Sequence, residues 1–327
     1  MPSMTVSSVS LIPPGTGGVR DYATAVGNPL HAPLMELTRG TDTASLKGEF
    51  LLLHFSGYGF QKRGIPLWLV NRIDGLRTQF KAFGIVFHEL FATGPPWGSA
   101  FWLSGCQQRI ARDLLRRSDF WVTNREESAR WLREHSRTTP HRVLPVFSNV
   151  GEPASIETER RRKLVVFGSA GIRAQAYEWS EGELFRCAKR NGLEIHDIGP
   201  AMPEGPLSRQ LAREGVMAHG KLPAAQVSLA LSSADYGALA YPPDYVSKSS
   251  IFAAYSSHAV CPILLWEEYG VHDGLTPNVH YARGFDAVDR SAVDPRVIGR
   301  EAHKWYVPHR IDAHVDALRT LTTEVQR

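Results

Sequence analysis

The sequence predicts an α/β protein of two domains, each a parallel sheet with helices on both faces. Three observations carry this reading. Short apolar stretches alternate with stretches whose apolar residues recur every three or four positions, as in successive βα units. The alternation stops at GEPASIETERRRK and restarts at KLVVFGSAG. And 327 residues, 43% hydrophobic and 21% charged, are too many for one ordinary core and enough for two.

In chain order, TVSSVSLI reads as a strand, PPGTGG as a glycine-rich loop and VRDYATAVGNPL as a helix. EFLLLHFSGYG is a buried strand ending in a second glycine loop, and PLWLVNRIDGLRTQF is helical. AFGIVFHELF is a strand that ends on His88 and Glu89. Phe101, Trp102, Cys106, Ile110, Leu114 and Leu115 have helix spacing. DFWVTN is a strand, and REESARWLREHS is a helix capped by Thr123 or Asn124. HRVLPVFSNV closes the first domain, and the linker places a boundary near residues 150–162. Beyond it KLVVF, LEIHDI, VMAHGKLP, DYGALAY and VCPILLW read as strands. YEWSEGELFRCAKRNG, LSRQLAREG, AAQVSLALSSA and SKSSIFAAYSSHA read as helices between them. A final helix pair is broken by Pro308.

Composition excludes several classes. No apolar run spans a bilayer, and MPSMTVSSVSLIPPGTGG lacks the pattern of a signal peptide. Three scattered cysteines, Cys106, Cys187 and Cys261, read as free thiols of a reducing compartment without metal-ligand spacing. The net charge of +4 suits an anionic small ligand, an anionic membrane surface or nucleic acid. The basic runs at 109–117 and 159–163 lack the interleaved aromatics that single strands require.

Four stretches carry candidate chemistry. In YPPDYVSKSSIFAAYSSHA, prolines end a strand and a helix begins whose first turn holds Lys248, Ser249 and Ser250. Free amides and the positive dipole end make that turn either a diphosphate cradle or an ordinary serine cap. PPGTGGVRDYA brings Gly15, Gly17 and Gly18 to the first helix, for close ligand approach or for a tight turn; it is not GxGxxG. His88 ends a strand, where it binds substrate or is structural. HELFA is not a zinc motif, and GPPWG beside it offers Trp97 as a stacking face. FGSAGIRAQAY carries Arg173 either toward an interdomain cleft or into solvent. No GxSxG, Walker loop or Asp-x-Asp pair is present.

Together these features resemble a GT-B glycosyltransferase of the retaining family 4 type, over nearly the whole chain. GTGGVRDYA looks like that family's N-terminal glycine loop, FHE like its strand-end histidine, and DFWVTNREESARWL like the segment before its domain crossover. HGKLPAAQVSLALSSADYGALAYPPDYVSKSSIFAAYSSHAVCPIL looks like its donor site. The sequence departs from the family at SIFAAYSSHA, where alanines stand in place of the second of two glutamates eight positions apart; Asp244 is the nearest carboxylate on the loop.

The resemblance implies two Rossmann-like domains, 1–152 for the acceptor and 160–302 for the nucleotide-sugar donor, with 303–327 packing back on the first. It implies a hexosyltransferase, retaining and free of metal and cofactor, that moves a sugar from a nucleotide-diphosphate sugar to an acceptor hydroxyl. Lys248, Arg173, Ser249 and Ser250 would then hold the diphosphate, and Asp244 and Tyr245 would flank the donor sugar. His88 would touch sugar or acceptor, with Gly17, Gly18, Tyr58 and Trp97 lining the acceptor side. Closure of the domains about the linker would exclude water. The expected setting is cytoplasmic synthesis of a bacterial polysaccharide or glycolipid. The expected partners are a nucleotide sugar and a glycan or lipid-linked acceptor, with no nucleic acid and with membrane contact through residues 101–117. A catalytically silent nucleotide-sugar binding protein on the same fold is the competing reading. An epimerase is disfavoured, because Tyr245 and Lys248 are Tyr-x-x-Lys and no GxGxxG is present.

Overall fold

The computed structural model describes residues 8–92, 97, 99–156, 162–289 and 294–325. The chain forms two compact units, one of residues 1–144 with 311–327, the other of residues 145–310.

The first unit runs β1 (Ser8–Ile12), α1 (Gly18–Gly27), β2 (Leu34–Glu36), β3 (Gly48–Ser56), α2 (Gly57–Phe60), α3 (Leu67–Arg77) and β4 (Phe80–Glu89). It continues with α4 (Ser99–Leu115), β5 (Phe120–Thr123), α5 (Glu126–His135) and β6 (His141–Val143). The second unit runs β7 (Lys163–Phe167), α6 (Ala170–Trp179), α7 (Glu183–Asn191), β8 (Glu194–Ile198), α8 (Pro206–Arg213), β9 (Met217–Ala218) and α9 (Ala224–Ser232). Then come β10 (Tyr236–Ala240), a 3-10 turn over Pro243–Lys248, α10 (Ser250–Ser257), β11 (Cys261–Leu265), β12 (Ala282–Arg283), α11 (Gly284–Asp289) and α12 (Pro295–Tyr306). The last helix, α13 (Ile311–Val325), belongs to the first unit, where it packs on α1, β4 and β5.

Each unit is built on a six-stranded sheet. The orders are β2-β1-β3-β4-β5-β6 and β12-β11-β10-β7-β8-β9, and the paired strands are parallel. Both faces of such sheets are covered, which is why the central strands read as unbroken apolar runs. Leu51, Leu52, Leu53 and Phe55 of β3 are buried, as are Leu164, Val165, Val166 and Phe167 of β7. The two-domain α/β fold read from the sequence is therefore the fold observed.

Several elements differ from the sequence reading, each for a local reason. The helix expected over YEWSEGELFRCAKRNG is two helices, because Glu181 and Gly182 take positive φ (49° and 81°) and turn the chain between them. The strand expected over HRVLPVFSNV is only three residues long; Pro145 follows two residues later and has no amide to continue the ladder. The cap of α5 falls on Arg125, because Thr123 is still in β5, its hydroxyl donating to the Phe87 carbonyl at 3.0 Å. The C-terminal helix pair divides at Pro308 into α12 in the second unit and α13 in the first.

Two glycines are set by packing. The Phe120 ring fills the place of a side chain at Gly84, and the Tyr255 ring does so at Gly237, its atoms within 2.4 Å of where a β-carbon would stand. The Tyr255 hydroxyl also donates to the carbonyls of Val165 and Ala238, both at 3.1 Å, so that ring cannot move aside freely. Gly237→Ala is therefore expected to destabilise the second unit by about 1–3 kcal/mol, read from its urea midpoint at unchanged m-value.

Candidate functional site

Open parallel sheets bind ligands outside the carboxyl ends of their strands, at the point where strand order reverses. In the second unit that point lies between β7 and β10. The loops after these two strands meet there: a β-carbon at Gly168 would stand 2.7 Å from the Ile251 side chain, in the first turn of α10. Gly168 itself has φ +132°, open to glycine and strained for other residues.

Two helices begin at this point. Ser169 caps α6, its hydroxyl accepting from the Ile172 amide at 3.4 Å, and Ser249 caps α10, accepting from the Phe252 amide at 3.2 Å. The earlier amides, of Ala170 and Gly171 in α6 and of Ser250 and Ile251 in α10, precede the first intrahelical bonds and lie at the positive end of each dipole. Lys248 ends the 3-10 turn just before α10, one residue ahead of the cap rather than inside the helix, and its ammonium lies 5.7 Å from the Tyr245 ring centre. Asp244, Tyr245, Lys248 and Ser250 are half-buried, and Ser249 is buried. The structure thus brings five donor-site residues read from sequence into one turn.

Arg173 stands apart. It lies on α6 with a side chain only 1% exposed, and it faces inward rather than toward solvent or a ligand. Its guanidinium pairs with Asp197 of β8, donates to the Pro200 carbonyl, and donates through Nε to the Gly168 carbonyl at 3.1 Å. Tyr177 completes the group, its hydroxyl donating to Asp197 at 3.0 Å. The cation expected at a phosphate is instead the clamp that holds the loops after β7 and β8. Helix α10 is buried from Ile251 to Ser257, so its apolar residues are core.

Sequence reading missed two supports of this site. Ser247, 1% exposed, donates to Asp273 at 2.6 Å and accepts the Val146 amide at its carbonyl, fixing the 3-10 turn. Gly168 and Ser169 had a signal, a glycine and a capping residue directly after the unit's first strand.

In the first unit the order reverses between β1 and β3. Gly15 and Gly17 have φ of +101° and +136°, and Gly17 is the N-cap of α1. A methyl group placed on Gly15, Gly17 or Gly18 meets nothing within 4 Å, so this backbone lies open. The loop after β3 comes close, a β-carbon on Gly59 standing 2.9 Å from the Pro13 ring. Tyr58, on α2, is 48% exposed, and its hydroxyl accepts from Gln107 at 3.2 Å. Beside these loops a cavity of about 260 Å³ is lined by Pro14, Thr38, Arg39, Phe60, Gln61 and Trp68. A larger cavity, about 470 Å³, runs along α3 toward Gln79 and the amino end of β4, opposite the carboxyl ends. Trp97 is 87% exposed; the rest of GPPWG, apart from Trp97, lies outside the described residues.

His88 is the penultimate residue of β4, 8% exposed, within an aromatic cluster that the sequence did not reveal. His54 Nδ1 lies 3.2 Å from His88 Nε2, and the edge of Tyr22 packs on His88 with ring centres 4.9 Å apart. The Tyr22 hydroxyl is hydrogen-bonded to Nδ1 of the buried His314 at 2.7 Å; burial drives that phenol's pKa upward, so it keeps its proton. His54 is fully buried, and burial lowers its pKa to about 3, so the ring is neutral. Its Nε2 has no partner among the described residues. A buried orphan N–H costs more than an orphan lone pair. His54 therefore carries its proton on Nδ1 and donates it to His88. A histidine inside the apolar run LLLHFS was the available signal.

Among the described residues, no three His, Cys, Asp or Glu side chains are grouped to hold a metal, and no helix is long and apolar enough to cross a membrane.

No protein-family model matches the chain, and no curated protein matches it. Solved structures do. The architecture is that of GT-B glycosyltransferases, two Rossmann-like α/β domains. The pneumococcal O-GlcNAc transferase GtfA, solved with UDP and GlcNAc, matches with a TM-score of 0.56 at 11% identity over 84% of this chain and 56% of that one. S. aureus TarM, solved as a mutant with UDP and saccharides, matches at 0.55 and 8% identity over 84% and 55%. An α-glucosyltransferase bound to UDP and a 13-mer DNA matches at 0.54 and 9% identity, over 98% of this chain and all of that one. The chain thus spans little more than half the length of GtfA and TarM. At such identities the likeness shows the fold alone. The expectation of no nucleic-acid partner draws no support from it, since one protein of this fold is solved with DNA.

Two outcomes separate the structural groups from the binding groups. Arg173→Ala leaves Asp197 buried without its cation and is expected to cost about 3–5 kcal/mol in chemical denaturation, more than Lys248→Ala at its half-exposed position. The second outcome concerns pH. His54 has a folded pKa far below its unfolded value near 6.5, so acid protonates it only in the unfolded chain. Its contribution is complete above pH 6.5 and is lost as pH falls toward 3. Between pH 6.5 and 4.5 the stability of the parent should fall more steeply than that of His54→Gln, by about 1.4 kcal/mol per pH unit.

Proposed function

We propose that the chain is a glycosyltransferase that moves a sugar from a nucleotide-diphosphate sugar to an acceptor hydroxyl, with retention at the anomeric carbon and without a metal. The observation that carries this reading is the convergence of two helix N-termini and Lys248 at the switch point of the second sheet. Amides of Ala170, Gly171, Ser250 and Ile251 and the Lys248 ammonium offer positive charge in a fixed array. A diphosphate is the ligand that such an array fits, and it is also the group whose charge grows as the bond from sugar to phosphate breaks. Ser249 contributes by holding α10 in place, since its hydroxyl oxygen caps the helix. Ser250 adds a hydroxyl, and Asp244 and Tyr245 flank the sugar from the preceding turn.

The acceptor falls to the first unit. The open glycines Gly17 and Gly18, Tyr58, Trp97 and the cavity beside Arg39 and Trp68 offer a surface of aromatic faces and donors, suited to a saccharide. His88, hydrogen-bonded to His54 at the carboxyl end of β4, is placed to contact sugar or acceptor. A hexosyl group, a bacterial glycan or glycolipid acceptor and a cytoplasmic setting complete the proposal. The GtfA and TarM structures, which hold UDP and sugars, support its nucleotide and saccharide classes.

One observation favours a second reading, a nucleotide-sugar binding protein without turnover. The helix α10, where the resembled family carries a glutamate, is apolar and buried. Ribose recognition then comes from elsewhere or is absent.

Thermal shift against UDP-, GDP-, ADP- and dTDP-sugars tests the donor site, and a transfer assay separates the two readings. Lys248→Ala is expected to weaken the responding nucleotide sugar 10- to 100-fold, as for loss of a charged hydrogen bond of about 1.5–3 kcal/mol. His88→Ala is expected to keep that shift and lose most transfer. A shift without transfer in the parent protein supports the binding reading; no shift with any nucleotide sugar removes the donor site.

A further inference from the structure

Between β2 and β3 the chain crosses without a helix. Residues 37–47 form neither helix nor strand, and they lead from the carboxyl end of β2 to the amino end of β3. Helix α3, between the parallel strands β3 and β4, runs the same way. Arg72 of α3 ties the two together. Its guanidinium donates to the carbonyls of Arg39 at 2.7 Å and Thr41 at 3.2 Å, and to the Thr43 hydroxyl at 3.1 Å. The space left between them is the larger cavity, about 470 Å³, bounded by Thr43 and Ala44 on one side and by α3 on the other. That volume lies in the range of small-molecule sites. Trp68 is a wall of this cavity and also of the smaller one beside Pro14 and Arg39.

The α3 wall is a single stripe. Trp68, Asn71, Arg72, Gly75 and Leu76 recur at the spacing of one helix face, with Gln79 just beyond the helix end. From Trp68 to Leu76 the stripe is about 12 Å long, so an occupant that covers it is elongated. Gly75 stands in the last turn of α3, where glycine is a poorer helix former than any residue but proline. A β-carbon there would meet nothing within 4 Å, so no neighbour requires glycine. Its missing side chain leaves room in the groove.

The lining selects a chemistry. Among the described residues no carboxylate lines either cavity, which disfavours a cation. Arg72 is engaged with the 39–43 segment, which disfavours a strong anion. Asn71 and Gln79 are exposed, and their carboxamides bond to nothing among the described residues; Gln61 lines the smaller cavity. A carboxamide both donates and accepts, and so does a hydroxyl group. The Trp68 indole adds a flat apolar face. Hydroxyls at the rim and an apolar face are what a sugar ring presents.

We propose that the groove along α3 is a saccharide-binding site separate from the transfer site, holding a distal stretch of a chain of several sugars that passes over Trp68. That the chain is the acceptor rests on the transferase reading; that the groove binds sugars does not.

The test is isothermal titration of the full chain with oligomers of glucose, galactose, mannose and N-acetylglucosamine, one to six units long, and with a single-stranded DNA oligomer. In at least one sugar series Kd is expected to fall about tenfold or more from two units to five. Gly75→Leu fills the groove with a better helix former. It should weaken the five-unit oligomer to the level of the two-unit one without lowering the melting temperature. Asn71→Ala with Gln79→Ala, both at exposed positions, should weaken the five-unit oligomer about tenfold. Binding that gains nothing with length in any series, a gain kept in full by both variants, or tighter binding of the DNA oligomer that the same variants lose would overturn the proposal. Length-dependent binding that the variants lose, with no response to any nucleotide sugar, keeps the groove and removes the transferase reading. A nucleotide-sugar response without length-dependent binding does the reverse.

Discussion

The guanidinium of Arg173 is the constraint on which the second unit's binding end depends. From one buried position it holds Asp197 on β8, the carbonyl of Gly168 after β7 and the carbonyl of Pro200 after β8. Burial pushes the Asp197 carboxyl above its ordinary range, while Arg173 and the Tyr177 hydroxyl pull it back. A paired ion of this kind is weak evidence for extra stability, but removing either partner strands the other. Its clearer effect is geometric. The backbone at Gly199 approaches the Gly168 carbonyl so closely that a β-carbon would stand 2.1 Å from it, a spacing that only glycine permits. With these loops fixed, the start of α6 has one place to lie.

The first unit reaches a comparable end by other means. Aromatic rings and the neutral His54 do the holding: Tyr22 packs against His88, His54 is hydrogen-bonded to His88, and Tyr22 is hydrogen-bonded to His314. The two units therefore share an architecture and differ in how they fix it, one through charge and one through stacked rings and neutral hydrogen bonds. Neutrality is enforced by burial at His54, so acid works against the first unit at this point.

The order of strands and helices was legible because both sheets are covered on both faces, so most central strands are apolar runs bounded by loop residues. Two short elements, β2 and β12, were not legible. The strand β2 is LME and β12 is two residues long, too short to show any period. The turn that splits α6 from α7 was hidden by good helix formers on either side of Ser180–Gly182. At the candidate site, the turn from Asp244 to Ser250 could be read from its prolines and serines, since capping is a local property. The fate of Arg173 could not, because its partner Asp197 is 24 residues away and only the packing of α6 on the sheet brings them together. The same holds for Tyr22 and His314, which are 292 residues apart.

That last separation has a consequence for how the chain is made. The second unit is one continuous segment, residues 145–310, lying in the sequence between the two segments of the first, 1–144 and 311–327. During synthesis the second unit is complete while the first still lacks the helix that covers β4 and β5. Until Ile311 and its successors leave the ribosome, Tyr22 has no His314 to bond and an apolar sheet face stays bare. The unit whose first segment emerges earliest is thus the last to be finished.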